Sequence, residues 1–423
     1  MNKISFIKVK GNIQMLMSHF RLPASNIQLL SLIFLMLISG LGYSQNLQFF
    51  IEEAIENNPN IQAVEKQHAI STERISEVNT LPNTEFSGGY MIGEEMPMMQ
   101  KAEFSAMQML PWFGTISARE KYAAAMADAD FVEIEIAKRK IEMALSQSYY
   151  RLYQIAKKQE VLDSNVALLK VYERMALTSV EVGQASAVSV LRLQMRQNEL
   201  LERKLVLEQD YAAELTAFNK IMNRQEITEI SIVDSLTVPE KDIEIDFDSL
   251  RLHPELMKFE QLNKVVTQAD VLNKKESAPG FGVGVEYMLF NEAPDMLMPM
   301  VSISIPIFNK KYKSIAKQNK LRFEELDIQK QASTNSLFAQ LQEAVRSRNA
   351  ARISFETQDK NLKQAKDANE ILLKNYETGT IDFREVLDVQ ELQLQFQINQ
   401  IEAIGEYFKQ TSVIDYFIGK KIN

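Results

Sequence analysis

From Gly280 the apolar residues fall on every second position: Phe281, Val283, Val285, Tyr287 and Leu289 alternate with Gly280, Gly282, Gly284, Glu286 and Met288. After a turn-like stretch at Asn291 to Asp295 the alternation resumes, with Val301, Ile303, Ile305 and Ile307 against Met300, Ser302 and Ser304. A period of two predicts a β-hairpin with one apolar face and one small or polar face. An earlier segment repeats the pattern less cleanly, with Phe86, Tyr90 and Ile92 on one side of a first strand and a mixed second strand over Phe104 to Leu110. The pattern fits a strand of a soluble sandwich, and it also fits a lipid-facing barrel strand of about 9–11 residues. Two hairpins supply four strands, too few to close around an aqueous lumen, so a barrel would need strands from other copies of the chain.

Elsewhere the period is helical. Between Gly114 and Gly183, and between Pro306 and Gly379, there is no glycine or proline for 68 and 72 residues. With 14 Gly and 11 Pro in 423 residues, several breakers would be expected over such lengths, and their absence predicts two very long helices. Each would reach about 100 Å. In the second tract Leu337, Leu341, Ala344, Ala351, Phe355, Leu362, Ala365, Leu372 and Tyr376 follow coiled-coil spacing, with small residues at several seam positions. The polar remainder suits helices packed sideways into a wall with water on both sides. Each tract closes on a glycine and restarts at once, in Val182 to Gln194 and in Thr378 to Gln390, as a tight helical hairpin would. Asn58-Pro59 and His253-Pro254 have the form of an N-cap followed by proline at the first helical position, opening helices that end near Pro82 and Pro279.

These marks recur at a fixed distance. Pro59 corresponds to Pro254, Pro111 to Pro306 and Gly183 to Gly379, at offsets of 195, 195 and 196, and Gly89 to Gly93 meets Glu286 to Phe290 at 197. The chain is thus expected to be one unit written twice. The expected organisation is a signal peptide over 1–44, a first repeat over 45–225, a linker or equatorial segment over 226–250 and a second repeat over 251–423.

Composition narrows the setting. Residues 1 to 44 carry Lys3, Lys8, Lys10 and Arg21 with no acid, then the apolar run Leu29 to Ile38 and small residues near Ser44, the form of a secretory signal. Without them, 43 Lys plus Arg face 56 Asp plus Glu, a formal charge of −13 that argues against nucleic acid as a partner. With no cysteine, disulfides, thiolate metal sites and a lipidated N-terminal Cys are excluded. No other run approaches 18 apolar residues, so membrane insertion would come through strands. Trp112, Phe113, Phe308 and Tyr312 stand where strand passes into helix, either as an interfacial girdle or as ordinary junction packing.

The duplicated helix, hairpin, long helix, turn and helix, with proline closing the second strand and Tyr376-Glu377-Thr378-Gly379 running on to Val386-Leu387-Asp388, resembles the TolC-type outer-membrane efflux family over essentially the whole mature chain. The resemblance implies a mostly α chain with a β-barrel portion: a trimeric 12-stranded outer-membrane barrel continued by an α-helical coiled-coil tunnel across the periplasm. It implies a periplasmic adaptor and an inner-membrane transporter of the resistance–nodulation–division (RND) or ABC class as partners, outer-membrane lipid around the barrel, and no cofactor. Adaptor docking would fall on Val182, Gly183 and Gln184 in one hairpin and Thr378, Gly379 and Thr380 in the other. The acidic aperture positions of the family match Glu385 and Asp388, with Arg384 beside them; rings of such carboxylates would select cations. Ser189 and Arg192 occupy the corresponding places in the first repeat, so one repeat alone would supply the ring.

Methionine, 20 in all, gathers at corresponding places: Met91, Met96, Met98, Met99, Met107 and Met109, then Met288, Met296, Met298 and Met300. Thioether sulfur is a soft ligand for Cu(I) or Ag(I), so Met96, Met98, Met99, Met296, Met298 and Met300 are candidate transient contacts for an exiting metal and point to the heavy-metal branch and an RND driver. The alternative is flexible apolar filler on lipid-facing strands. His68 and His253 are isolated, and no phosphate loop, nucleophile elbow or metalloprotease helix occurs, so catalysis is not expected.

Overall fold

A computed structural model describes residues 47–93, 100–183, 186–242, 244–307, 309–378 and 380–419. The expected signal segment, Met96, Met98, Met99, Gln184, Phe308 and Gly379 lie outside the described residues. Two short helices, α1 (Leu47–Asn57) and α2 (Pro59–Val78), lead to strands β1 (Thr84–Tyr90) and β2 (Gln100–Leu110), then α3 (Thr115–Glu181) and α4 (Ala187–Ile221). After an irregular stretch and a 3-10 turn at Phe247–Leu252 come α5 (Pro254–Glu276), β3 (Gly280–Phe290), β4 (Met296–Ser304), α6 (Lys311–Glu377) and α7 (Phe383–Ile418). The breaker-free tracts are the helices α3 and α6, 67 residues each and about 100 Å long.

Every seam residue named from the coiled-coil spacing of α6 is buried or half-buried, and Leu341 is fully so. The helices form a wall. Near the sheet, neighbours run α2, α3, α5, α6; toward the far end they run α4, α3, α7, α6. Each long helix therefore lies beside two shorter ones set end to end, and the joints are polar. The Asn58 side chain accepts from the Asn60 N–H to cap α2, while its amide donates at 2.7 Å to the carbonyl of Ile221, which closes α4. At the other joint His253 caps α5 by accepting from the Glu255 N–H and stands edge-on to Tyr416 of α7, ring centroids 4.9 Å apart. Burial pushes the His253 imidazole down to about 4, which keeps it neutral and able to accept that bond.

Between the two rows the irregular stretch crosses the wall. The Tyr149 and Tyr153 hydroxyls of α3 accept from the N–H groups of Val233 and Leu236 at 3.1 and 3.2 Å. On α6, Asp242 meets Arg352 at 2.6 Å and Arg348 at 3.6 Å. Beneath it Phe50, Tyr149 and Phe218 form an aromatic core with Leu145, Leu152 and Leu215.

The four strands form one antiparallel sheet in chain order. β4 is shifted from the sequence expectation: it starts at Met296 and stops at Ser304, leaving Ile305 and Ile307 outside. Ser304 pairs with Gly280, the first residue of β3, so nothing remains for Ile305 to pair with, and Pro306 has no N–H to give. The start at Met296 was hidden because Met296, Leu297, Met298 and Pro299 show no polar alternation.

Candidate functional site

Two regions carry the residues singled out by sequence. The first is the end of the wall where α3 turns into α4 and α6 into α7. Gly183 adopts φ +77, the left-handed conformation that ends α3, and donates to the Val180 carbonyl at 3.0 Å; a Cβ there would meet nothing within 4 Å. In the other turn the Asn375 carbonyl accepts from the hydroxyl of Thr378 at 3.0 Å and from the hydroxyl and N–H of Thr380 at 2.8 and 3.0 Å. Val182, Gly183, Thr378 and Thr380 are all exposed.

The two turns are brought together by contacts that spacing alone did not reveal. The Tyr376 hydroxyl donates to Ser179 at 2.9 Å, and Phe383 packs edge-on against Tyr172 and at 4.8 Å from Tyr376. Behind them Leu169, Ala176, Val190, Leu193, Val386 and Leu394 make a dry core shared by α3, α4 and α7. Asp382 caps α7 by accepting from the Arg384 N–H, a signal visible in the sequence as an Asp three residues before Glu385. Glu385 and Asp388 are exposed in the first turns of α7, where the helix dipole favours carboxylates, and Arg384 stands 3.9 Å from Asp388 with both side chains about two-thirds exposed. One turn deeper, Arg196 of α4 bridges to Glu391 of α7 at 3.2 Å, and Gln390 donates to the buried Asn165. These ties hold the α6–α7 hairpin against the α3–α4 hairpin.

The second region is the sheet. Register places Glu85, Met107, Gly284 and Met300 in one row, Ser87, Ser105, Glu286 and Met298 in the next, and Met109, Gly282 and Ser302 beside them, all on one face. The opposite face carries Phe86, Ala106, Val285 and Pro299, then Phe104, Tyr287 and Leu297, then Val283 and Val301, then Leu110, Phe281 and Ile303. The apolar face is the open one, with Val301 82% and Phe86 80% exposed, while Gly282 is buried and Met107, Met109, Met300 and Ser302 are half-buried. Met298 and Met300 thus lie with the polar residues, as does Met296 opposite Met288, so the strand methionines are not filler on the apolar face. At the base of the sheet Trp112 stacks on Phe281 at 5.5 Å, Phe113 is 79% exposed and Lys311 covers Tyr312, which combines junction packing with one outward ring.

Among the described residues, no group of three or more His, Asp or Glu converges as a metal site, and no helix is long and apolar enough to cross a membrane. His68 is engaged with the Ala127 carbonyl and the Phe131 ring.

A wall of long helices capped by an antiparallel sheet that exposes its apolar face has close counterparts among solved structures. The chain superposes on CusC, described by its role in transmembrane channel formation, with a TM-score of 0.75 at 12% identity over 89% of this chain and 92% of that one. The chain has the fold of the outer-membrane channels. VceC of Vibrio cholerae matches at 0.72 and 15% identity, covering 88% and 96%, and the open state of the MtrE channel of Neisseria gonorrhoeae at 0.70 and 13%, covering 88% of each. No protein-family model and no curated protein sequence matches. Within the outer-membrane channel fold the hairpin turns lie at the end of the helical wall remote from the sheet, and the strand faces lie at the other.

Proposed function

We propose that the chain is the exit duct of a tripartite efflux system in the outer membrane of a Gram-negative bacterium, a passive conduit with no catalytic role. The exposed apolar face of the sheet carries this reading: Phe86, Leu297, Val301 and Ile303 are each more than half exposed, which suits lipid and not water. β1 and β4 are open edges of a four-stranded sheet, and three copies joined edge to edge give twelve strands around a lumen lined by the Ser, Gly, Glu and Met face. The helical wall has open edges too. Leu321, Phe323 and Ile328 of α6 and Leu201 and Leu205 of α4 are exposed apolar residues on its outermost helices, suited to neighbouring copies.

In this duct an adaptor docks on the hairpin turns at Val182, Gly183, Gln184, Thr378, Gly379 and Thr380, and an inner-membrane RND pump supplies the energy. Glu385, Asp388 and Arg384 narrow the periplasmic aperture, and docking opens it by swinging the α6–α7 hairpin away from α3 and α4. The cargo we favour is a soft metal ion. The fold itself does not choose, since CusC, VceC and MtrE score within a narrow range. Growth of a deletion strain across graded silver, copper, zinc, dye and antibiotic is expected to show selective sensitivity to silver and copper; sensitivity to dyes and antibiotics alone overturns that cargo.

The duct itself is tested by reconstituting the full chain in planar bilayers. Detergent-requiring trimers with stepwise conductance are expected; a water-soluble monomer that gives no conductance is the outcome of a pore-free coiled-coil protein. Replacing Glu385 and Asp388 together with alanine is expected to lower cation-over-anion selectivity while conductance is kept. An unchanged reversal potential would return both to the solvated face of an exposed helix.

A further inference from the structure

All six methionines within the four strands, Met107, Met109, Met288, Met296, Met298 and Met300, fall on the polar face, and none falls on the face that holds the valines and isoleucines. Filler side chains would be distributed the other way. Met107 and Met109 are two residues apart, so both thioethers rise from the same side of β2. Across from them β3 has Gly282 and Gly284. A Cβ on Gly282 would stand 2.8 Å from the Met109 sulfur and 3.2 Å from the Met107 sulfur, so the missing side chain is what lets both sulfurs settle over one patch of backbone. From β4 the Ser302 hydroxyl reaches the same spot, 3.9 Å from the Met107 sulfur and 3.8 Å from the Met109 sulfur. Two sulfurs and one oxygen from two strands therefore converge above a glycine floor, with Met300 next in the row of Met107.

We propose that Met107, Met109 and Ser302 form a binding site for a soft monovalent cation, Ag(I) or Cu(I), on the inner wall of the barrel. The assignment rests on the duct reading, which makes this face the water-lined one. Thioethers are neutral and bind soft cations without losing a proton, and they ignore the far more abundant Na⁺, K⁺ and Mg²⁺, which require oxygen. The same face carries Glu85, Glu103 and Glu286, and the only basic residue in the strands is Lys101, at the irregular step between Gln100 and Ala102. That charge pattern raises the local concentration of cations. Two thioethers and a hydroxyl hold an ion weakly enough to release it, and Met300, Met298 and the Met288–Met296 pair continue the soft ligands along the wall, as conduction through several weak sites requires.

The test uses the purified full-length trimer in nanodiscs, titrated with silver nitrate in chloride-free buffer. Bound silver is measured by equilibrium dialysis, and its ligands by X-ray absorption at the silver edge. Silver–sulfur scattering is expected, with competition by Cu(I) and none by Na⁺ or Zn²⁺. The double variant Met107→Leu/Met109→Leu, which keeps volume and strand preference, is expected to weaken silver about tenfold or more, and Ser302→Ala to weaken it several-fold. Met222→Leu, in the helical wall, is expected to change nothing. Silver bound by the double variant as tightly as by the wild type overturns the site. Conductance of the same samples in potassium nitrate separates the two claims: a conducting double variant with undiminished silver affinity removes the site and leaves the duct, whereas absent conductance from the wild type removes the duct.

Discussion

Asp242→Ala is expected to lower the stability of the helical wall by about 3 kcal/mol or more, read as an earlier thermal transition by far-UV circular dichroism of the purified protein. The reason lies in what the carboxylate leaves behind. Arg348 and Arg352 have side chains only 8% and 16% exposed, and Asp242 is the acid that faces both. The Tyr407 hydroxyl also donates to it, and Arg352 lies 5.2 Å over the Tyr407 ring. Removing the acid strands two guanidinium groups in a site that Val238, Ala351 and Tyr407 keep dry. It also removes the ion pairs between the irregular stretch and α6, leaving that join to the bonds from Arg352 to the Pro239 and Glu240 carbonyls and to the packing of Val238. Asp242→Asn, which retains the shape and can accept one bond, is expected to cost less.

The same site predicts a pH dependence with a definite sign. Burial alone would raise the Asp242 carboxyl, but hydrogen bonds from Arg352 and Tyr407 and the charges of Arg348 and Arg352 outweigh it and hold the group below its ordinary value. A carboxyl depressed on folding adds stability above its unfolded value, about 3.9, and that contribution is lost as pH falls through the lower folded value. The wild-type advantage over Asp242→Ala should therefore be constant from neutral pH down to about 5 and shrink below about 4. An advantage that grew on acidification would contradict the ion-pair account.

What was legible in the sequence follows from which interactions are local. The absence of breakers bounded α3 and α6 to within a few residues, and the Asn-Pro and His-Pro pairs marked the starts of α2 and α5, because helix ends are set by neighbouring residues. The second task of those caps was invisible. That Asn58 also receives the end of α4, and that His253 meets Tyr416, depends on segments 163 residues apart in each case and on no periodicity. The tip between α3 and α4 was legible as a stop at Gly183, but the Tyr376–Ser179 and Phe383–Tyr172 contacts that hold one tip to the other were not. Acidic positions such as Glu385 and Asp388 could be named only through a family likeness, since an exposed carboxylate in a first helical turn or in an i,i+4 pair such as Arg384–Asp388 has an ordinary structural use. The alternating faces of β3, and of β4 from Met300 to Ser304, were legible as a period of two, whereas the start of β4 was not. Methionine counts as hydrophobic, so Met296 to Met300 looked like an unbroken apolar run, and Met107 and Met109 gained meaning only when register set them against Gly282 and Gly284.

In the duct proposed above, Gly284→Ala is expected to reduce assembled trimer about tenfold or more, measured as detergent-resistant trimer against total chain. A Cβ at this position would lie 2.6 Å from the main-chain oxygen of Ala106 and 3.1 Å from both the methyl and the sulfur of Met107. The methionine can turn aside, but the carbonyl belongs to the β2–β3 ladder, where Ala106 pairs with Val285, and it can retreat only if the two strands part. In the lipid setting of the proposed duct, strands that part here would expose main-chain groups without water to satisfy them, which would convert a single methyl group into a failure of insertion. Gly88→Ala is the matched control. Its Cβ would come 3.3 Å from a ring carbon of Phe104, an exposed side chain that can rotate away, and near-normal trimer is expected. Full assembly of Gly284→Ala would show that β2 and β3 do not keep this register in the assembled protein, and the convergence of Met107, Met109 and Ser302 would fall with it.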